Sequence, residues 1–234
     1  MFDRLRKAFS REGKPAAEEA SVSGAPASSA FAPVSEWAPS QGMAFSSPPS
    51  GGFLLQGQVG GRPMRLEAGR PSRKYIQGEE LRGRAELGVD PDVLLVLMNR
   101  PLKESLEKQA YALYTDTLQT SVDPNLPEEM RLLAMYEEVG WDALPRIFWS
   151  RYAVVADNRD HAQAWVDAGL ARQLLEWPAP APAPELPFML LLLRGKAYLR
   201  MQHGPMLHMP TLQHAASVFT RACETAQAAF PARG

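Results

Sequence analysis

A chain of 234 residues with 45% hydrophobic residues and a formal net charge of -1 can bury a sizeable core and has no global charge to attract nucleic acid. Its single cysteine, Cys223, excludes an internal disulfide and a thiolate metal cage, and fits a reducing cytoplasm. The most apolar run, residues 188–193, is far shorter than the roughly 20 residues a membrane-crossing helix needs, and residues 1–14 lack the apolar centre of a secretory signal.

At the start of the chain, Met1, Phe2, Leu5, Ala8 and Phe9 fall at helical spacing on one face, with Arg4, Arg6, Lys7 and Arg11 around the rest. The pattern predicts a basic amphipathic helix over residues 1–14 that lies on an anionic membrane surface or binds a partner. Burying Phe2, Leu5 and Phe9 contributes about 5 kcal/mol and four basic residues about 4 more. Ordering the segment costs about 10, so such an attachment is marginal and reversible. Residues 15–52 lie in an Ala/Ser/Pro/Gly tract that predicts a disordered linker with a reach of roughly 35–40 Å. Phe31, Trp37, Met43 and Phe45 interrupt it; transient contact with the chain's own domain is the plainer reading, docking points for a partner the other.

From residue 53 the pattern is that of one α+β domain reaching residue 234. Gly60-Gly61 predicts a tight hairpin, because Phe53, Leu55 and Val59 before it and Met64 and Leu66 after it alternate with polar residues. Leu81, Ala85 and Leu87 alternate with Arg82, Arg84 and Glu86, giving a strand with one wet face. Residues 93–98 are apolar throughout and predict its interior neighbour, covered on both sides. The result is an antiparallel β-meander, closed by a helix that starts at Pro101. Residues 114–120 are rich in β-branched side chains and predict a short strand. A helix is expected from Pro127 towards Val139, and a strand over residues 147–156. Another helix follows, capped by Asp157 or Asn158 and carrying Ala162, Trp165, Val166, Gly169, Leu170 and Leu174 on one stripe. The Pro-Ala connector at residues 178–184 predicts a stiff extended link. A C-terminal β-hairpin about Arg194-Gly195-Lys196 and a terminal helix over residues 212–230 complete the packed helices and sheet. Cys223 on that helix reads as a small buried hydrophobe.

The order of Phe53 and Gly57, then Arg62-Pro63-Met64-Arg65-Leu66-Glu67, then Glu80-Leu81-Arg82, resembles bacterial proteins of a domain family of unknown function, over residues 53–106. Members hold such an α+β domain behind an N-terminal membrane-attached segment, and this chain departs from them in lacking a transmembrane helix. The resemblance implies the fold and carries over no catalytic residue.

A search for chemistry finds no nucleophile elbow, no zinc-protease helix, no phosphate-cradling loop and no dinucleotide fingerprint, so no cofactor, metal or catalytic residue is assigned. Asp157, Asp160 and His161 form the sharpest polar cluster, read more plainly as helix-capping groups. Met201, His203, Met206 and His208, with Met209, offer the thioether and imidazole groups that suit copper, yet Gly204 and Pro205 argue for a surface loop. Arg65, Arg73, Lys74, Arg82 and Arg84 crowd the meander and suit phosphates, with Tyr75 available to stack on a base; a solvated strand face accounts for them equally well. The sequence therefore predicts a cytoplasmic, non-enzymatic accessory protein, tethered at the inner membrane surface or to a protein partner by Phe2, Arg4, Leu5, Arg6, Lys7 and Phe9. The alternative is a nucleic-acid-binding regulator that uses the meander's arginines, and a more distant one is an enzyme of unrecognised type.

Overall fold

In the computed structural model, which describes residues 29–116 and 127–232, nine strands pair edge to edge in one antiparallel sheet. The elements in chain order are α1 (Ala32–Trp37), β1 (Ala44–Ser46), β2 (Phe53–Val59), β3 (Arg62–Gly69), β4 (Glu79–Glu86), β5 (Leu95–Asn99), α2 (Arg100–Asp116), α3 (Glu128–Met135), β6 (Glu138–Val139), α4 (Arg146–Arg151), β7 (Tyr152–Ala156), α5 (Arg159–Trp165), α6 (Ala168–Leu175), β8 (Phe188–Leu193), β9 (Lys196–His203) and α7 (Met209–Ala229). Short 3-10 turns flank α1.

The strand order is β1-β2-β3-β4-β9-β8-β5-β7-β6. β2, β3 and β4 form the start of the expected meander, with β1 added at its edge, but β5 does not continue it. The β8–β9 hairpin is inserted between β4 and β5, so the predicted neighbour of Leu81–Ala85 is instead Ala197–Met201, and Leu95–Met98 pairs with β8 and β7. Turn chemistry settles both hairpins: Gly60 and Gly61 at φ 56° and 73°, and Arg194 and Gly195 at φ 51° and 70°, give the twist that matches paired strands. Nothing local fixes which strand a hairpin then joins.

Strand composition decides the layering. β5, β7 and β8 are buried at every residue, because helices cover both of their faces. On one face Leu55, Leu66, Leu81, Leu97, Val154, Leu190 and Leu199 meet α1, α4, α5, α6 and α7 in a single core. On the other, Val96, Met98, Val155, Met189 and Leu191 pack under Leu102, Leu106, Met130 and Leu132 of α2 and α3. The terminal helix sits close to the sheet at Gly83, where a Cβ would come within 2.8 Å of the Phe219 ring and 2.9 Å of Leu199.

Several expectations are corrected. Part of the expected disordered linker is ordered: Val34, Ala38 and Met43 are buried, Phe31 meets the Phe53 ring edge-on at 5.6 Å, and Phe45 stacks on it at 6.5 Å. Its few apolar residues are spaced to reach one site, which a composition average conceals, and β1 extends the sheet to pair with β2. Residues 1–28 lie outside the described residues. Instead of a strand at residues 114–120, α2 runs through Asp116, and residues 117–126 are not among those described. The segment 147–156 is α4 followed by β7, since Pro145 opens a helix that places Phe148 in the core beside Tyr152, their rings 5.5 Å apart. The single helix expected after Asn158 is two, α5 and α6, split at Val166–Asp167 where Asp167 caps a second start.

Candidate functional site

The second face of the sheet is covered only over β5, β7 and β8. Across β2, β3, β4 and β9 no helix covers it, and most of the side chains that point there are polar. Two cross-strand rows define it: Gln56, Arg65, Arg84 and Tyr198, and next to them Leu54, Glu67, Arg82 and Arg200. Arginines thus stand opposite arginines twice, Arg65 to Arg84 and Arg82 to Arg200, an unfavourable arrangement unless acids intervene. They do. Glu67 accepts from Arg82 at 2.5 Å, Glu86 from Arg84 at 2.7 Å with Lys196 at 3.3 Å, and Glu80 from Arg200 at 2.8 Å. Arg65, exposed, has no such acid among the described residues. A shallow cavity of about 340 Å³ lies beside it, between Gln56, Pro63, Arg84 and Glu86.

The loop between β3 and β4 walls off one end of this face and is held at two buried carboxylates. Glu80 is inaccessible to solvent and accepts from the Ser72 backbone N–H at 2.6 Å as well as from Arg200, which also donates to Ser72 Oγ. Glu129 of α3, 1% exposed, accepts from Arg73 Nε at 2.6 Å and from the Tyr75 hydroxyl at 2.7 Å. Burial alone would raise the Glu129 carboxyl, but the bonds from Arg73, its own backbone N–H and Tyr75 outweigh it and hold the group below the usual carboxylate range. Burial and the adjacent Glu129 charge push the Tyr75 hydroxyl far up, so it stays a donor.

Of the five cations singled out in sequence, Arg65, Arg82 and Arg84 share the open face, Arg73 turns away to α3, and Lys74 is exposed on the loop with no ion pair among the described residues. The N-terminal set Phe2, Arg4, Leu5, Arg6, Lys7 and Phe9 lies outside the described residues. In the acidic cluster, Asn158 is the cap, accepting from the Asp160 and His161 backbone N–H groups at 2.7 and 3.3 Å. His161 lies edge-on to Phe230 at 5.3 Å, with Asp157 4.0 Å away. The start of α5 thus rests on Asn158, beside the cluster, through the Asp160 and His161 backbone.

The Met-His loop is divided. Met201 is buried in the core. His203, Met206, His208 and Met209 line a cavity of about 480 Å³ closed by Phe31, Pro33 and Val34 of the N-terminal segment. Among the described residues no group of three or more His, Cys, Asp or Glu side chains is placed to hold a metal ion. Cys223 is fully buried, and burial raises its thiol well above the ordinary value, so it packs and does not react. A further cavity of about 520 Å³ lies under the Pro-Ala strap, beside Tyr152, Trp177 and Phe188. Its polar groups are mutually satisfied: Asn99 donates to Pro184 and Leu186 and accepts from Phe188, and Tyr152 donates to Leu174 while accepting from Trp177.

Sequence reasoning missed Glu80 and Glu129 as anchors. Glu129 reads locally as a first-turn acid of a helix, and its partner Arg73 is 56 residues away. No local pattern signals such a pair.

No protein-family model, curated protein or solved structure matches this chain. Among the described residues no helix is long and apolar enough to cross a membrane.

Proposed function

We propose that the chain is a non-enzymatic accessory protein whose open sheet face receives a protein partner of acidic character, while the basic tip at residues 1–14 holds it reversibly at an anionic inner-membrane surface or to that partner. The observation that carries this reading is the uncovered face of β2, β3, β4 and β9. Four cations, Arg65, Arg82, Arg84 and Lys196, stand at least partly exposed there against two carboxylates, Glu67 and Glu86, while Arg200 pairs with the buried Glu80 beneath the β3–β4 loop. A surface whose arginines are already oriented by glutamates, with a modest positive surplus, complements the mixed charges of a protein better than the unbroken negative charge of a nucleic-acid backbone. A nucleic-acid-binding regulator is the second reading, favoured by Arg65, which faces Arg84 with no acid of its own.

Two measurements test these parts. Co-sedimentation of the full chain, its Phe2→Glu variant and a chain beginning at residue 29 with anionic and neutral vesicles reports on the tip. The tether predicts sedimentation of the full chain alone, with anionic vesicles alone and more weakly at higher salt. Equal sedimentation of all three, or none, removes it. Anisotropy titration of a labelled oligonucleotide with the full chain and an Arg65→Glu, Arg84→Glu double variant reports on the face. A protein-binding face leaves the oligonucleotide free at moderate salt, whereas affinity that falls steeply with salt and is lost in the double variant transfers the face to nucleic acid.

A further inference from the structure

A second site lies away from the open face, at the end of the sheet where β2, β3, β4 and β9 stop beneath the N-terminal segment. The cavity there, about 480 Å³, is within the range that encloses small ligands. Its walls are largely apolar: Phe31, Val34 and Phe53 on one side, Met206, Leu207 and Met209 on the other. Phe31 and Phe53 present an edge-to-face aromatic pair, and thioethers near aromatic rings are favourable neighbours for a further ring.

The polar groups at this cavity are of one kind. His203 is only 9% exposed, and its Nδ1 donates to the Gly204 carbonyl oxygen at 2.6 Å. A carbonyl can only accept, so in the neutral ring Nε2 carries the lone pair. That Nε2 is buried and has no hydrogen-bond partner, although buried polar atoms are nearly always satisfied. Burial lowers the ring's affinity for a proton, with the Gly204 bond and the nearby Glu79 charge acting the other way, which keeps the imidazole an acceptor at neutral pH. Glu79 is the cross-strand partner of His203 and lines the same cavity. His208 sits at the rim, exposed. The His203 ring, with its unused Nε2, and Glu79 thus both line an otherwise largely apolar chamber.

We propose that this cavity binds a small aryl-alkyl amine, its ring among Phe31, Phe53 and the methionines and its ammonium donating to His203 Nε2 and Glu79. The partners available to the polar end are a neutral imidazole acceptor and a carboxylate, so a carboxylic acid of the same shape is repelled by Glu79 and a neutral alcohol, with one proton to donate, gains only one of the two interactions. The order expected is amine, then alcohol, then acid.

The test titrates the full chain, labelled with ¹⁵N, with 2-phenylethylamine, 2-phenylethanol and 3-phenylpropanoate, reading the His203 ring nitrogens and the amides of residues 203–209. The expected result is a saturable shift of His203 Nε2 with the amine and affinity reduced about tenfold for the alcohol. The acid is expected not to bind. Glu79→Gln, which keeps shape and is partly in solvent, reduces amine affinity by about tenfold, while Glu86→Gln on the other face leaves it unchanged. Equal binding of the acid, equal binding of amine and alcohol, no saturation by the amine in a folded sample, or saturation that leaves His203 unmoved would each overturn the assignment. Copper(I) or silver(I) displacing the amine-dependent shift with higher affinity, and insensitive to Glu79→Gln, would reassign the cavity to a soft metal.

Discussion

Among single residues, Glu129 stands apart from the acids of the open face. It is buried and satisfied by two donors, while Glu67, with Arg82, is about a third exposed. Exposed pairs are worth roughly 0.2–1 kcal/mol, whereas removing one member of a buried pair leaves the other uncompensated at about 3–5. Arg73 keeps 28% of its side chain in water, which discounts the larger figure. Glu129→Ala is therefore expected to lower unfolding free energy by about 2–3 kcal/mol and Glu67→Ala by less than about 1, compared through urea midpoints at constant slope. Because the Glu129 carboxyl is held below its ordinary value of 4.5, its contribution is complete above that pH and is lost as pH falls through the depressed folded value. Stability followed from pH 7 into acid should decline more steeply in the wild type than in Glu129→Gln. An identical acid profile would show that Glu129 is not coupled to folding. None of this was readable at Glu129 itself: the helix-start pattern assigns an acid to that position for a local reason, and the buried role comes from a loop more than fifty residues earlier in the chain.

Elements were legible where the signal is local. The turns at Gly60-Gly61 and Arg194-Gly195 and the alternation of β2, β3 and β4 could be read directly, as could the doubly buried β5 and the apolar stripe of α7. The break between α5 and α6 was not, because Ala162, Trp165, Leu170 and Leu174 keep one helical stripe across it. The signal that was present is Asp167, whose Oδ1 accepts from the Leu170 backbone N–H at 2.7 Å while Oδ2 accepts from Arg221 of α7. The residue caps one helix and ties it to another, so Asp167→Ala is expected to cost about 1–2 kcal/mol, lowering Tm by about 2–4 °C for each kcal/mol in a domain of this size. Asp167→Asn, which keeps the capping oxygen, should recover most of that loss in a thermal melt. If the two variants melt together, the tie to Arg221 is the dominant part.

For the whole molecule, the domain begins before the point that composition suggests. Val34, Ala38 and Met43 pack into the same core as Phe53 and Leu55, so a chain starting at residue 29 should melt with the full protein. One starting at residue 51 loses β1 and exposes Phe53, and is expected to lose about 3–5 kcal/mol from unburied Val, Met and Phe surface, visible as a lower Tm and a lower urea midpoint. The open face and the amine cavity were the least legible features. Each depends on strands distant in sequence becoming neighbours, β4 with β9 above all, and a single chain carries no local mark of that pairing.

That pairing also shapes how the protein is made. A ribosome releases the meander first, with β4 as a bare edge, and later β5 and β7 with another; both edges stay unpaired until residues 188–203 emerge and slide between them. Open edges recruit other strands, and non-local sheets form slowly. The nascent chain therefore passes through a stage of two unfinished half-sheets between the release of β7 and that of β9, and the β8–β9 hairpin acts as the closing stitch, so holding factors matter more to the yield of this protein than to that of a meander that zips up in chain order.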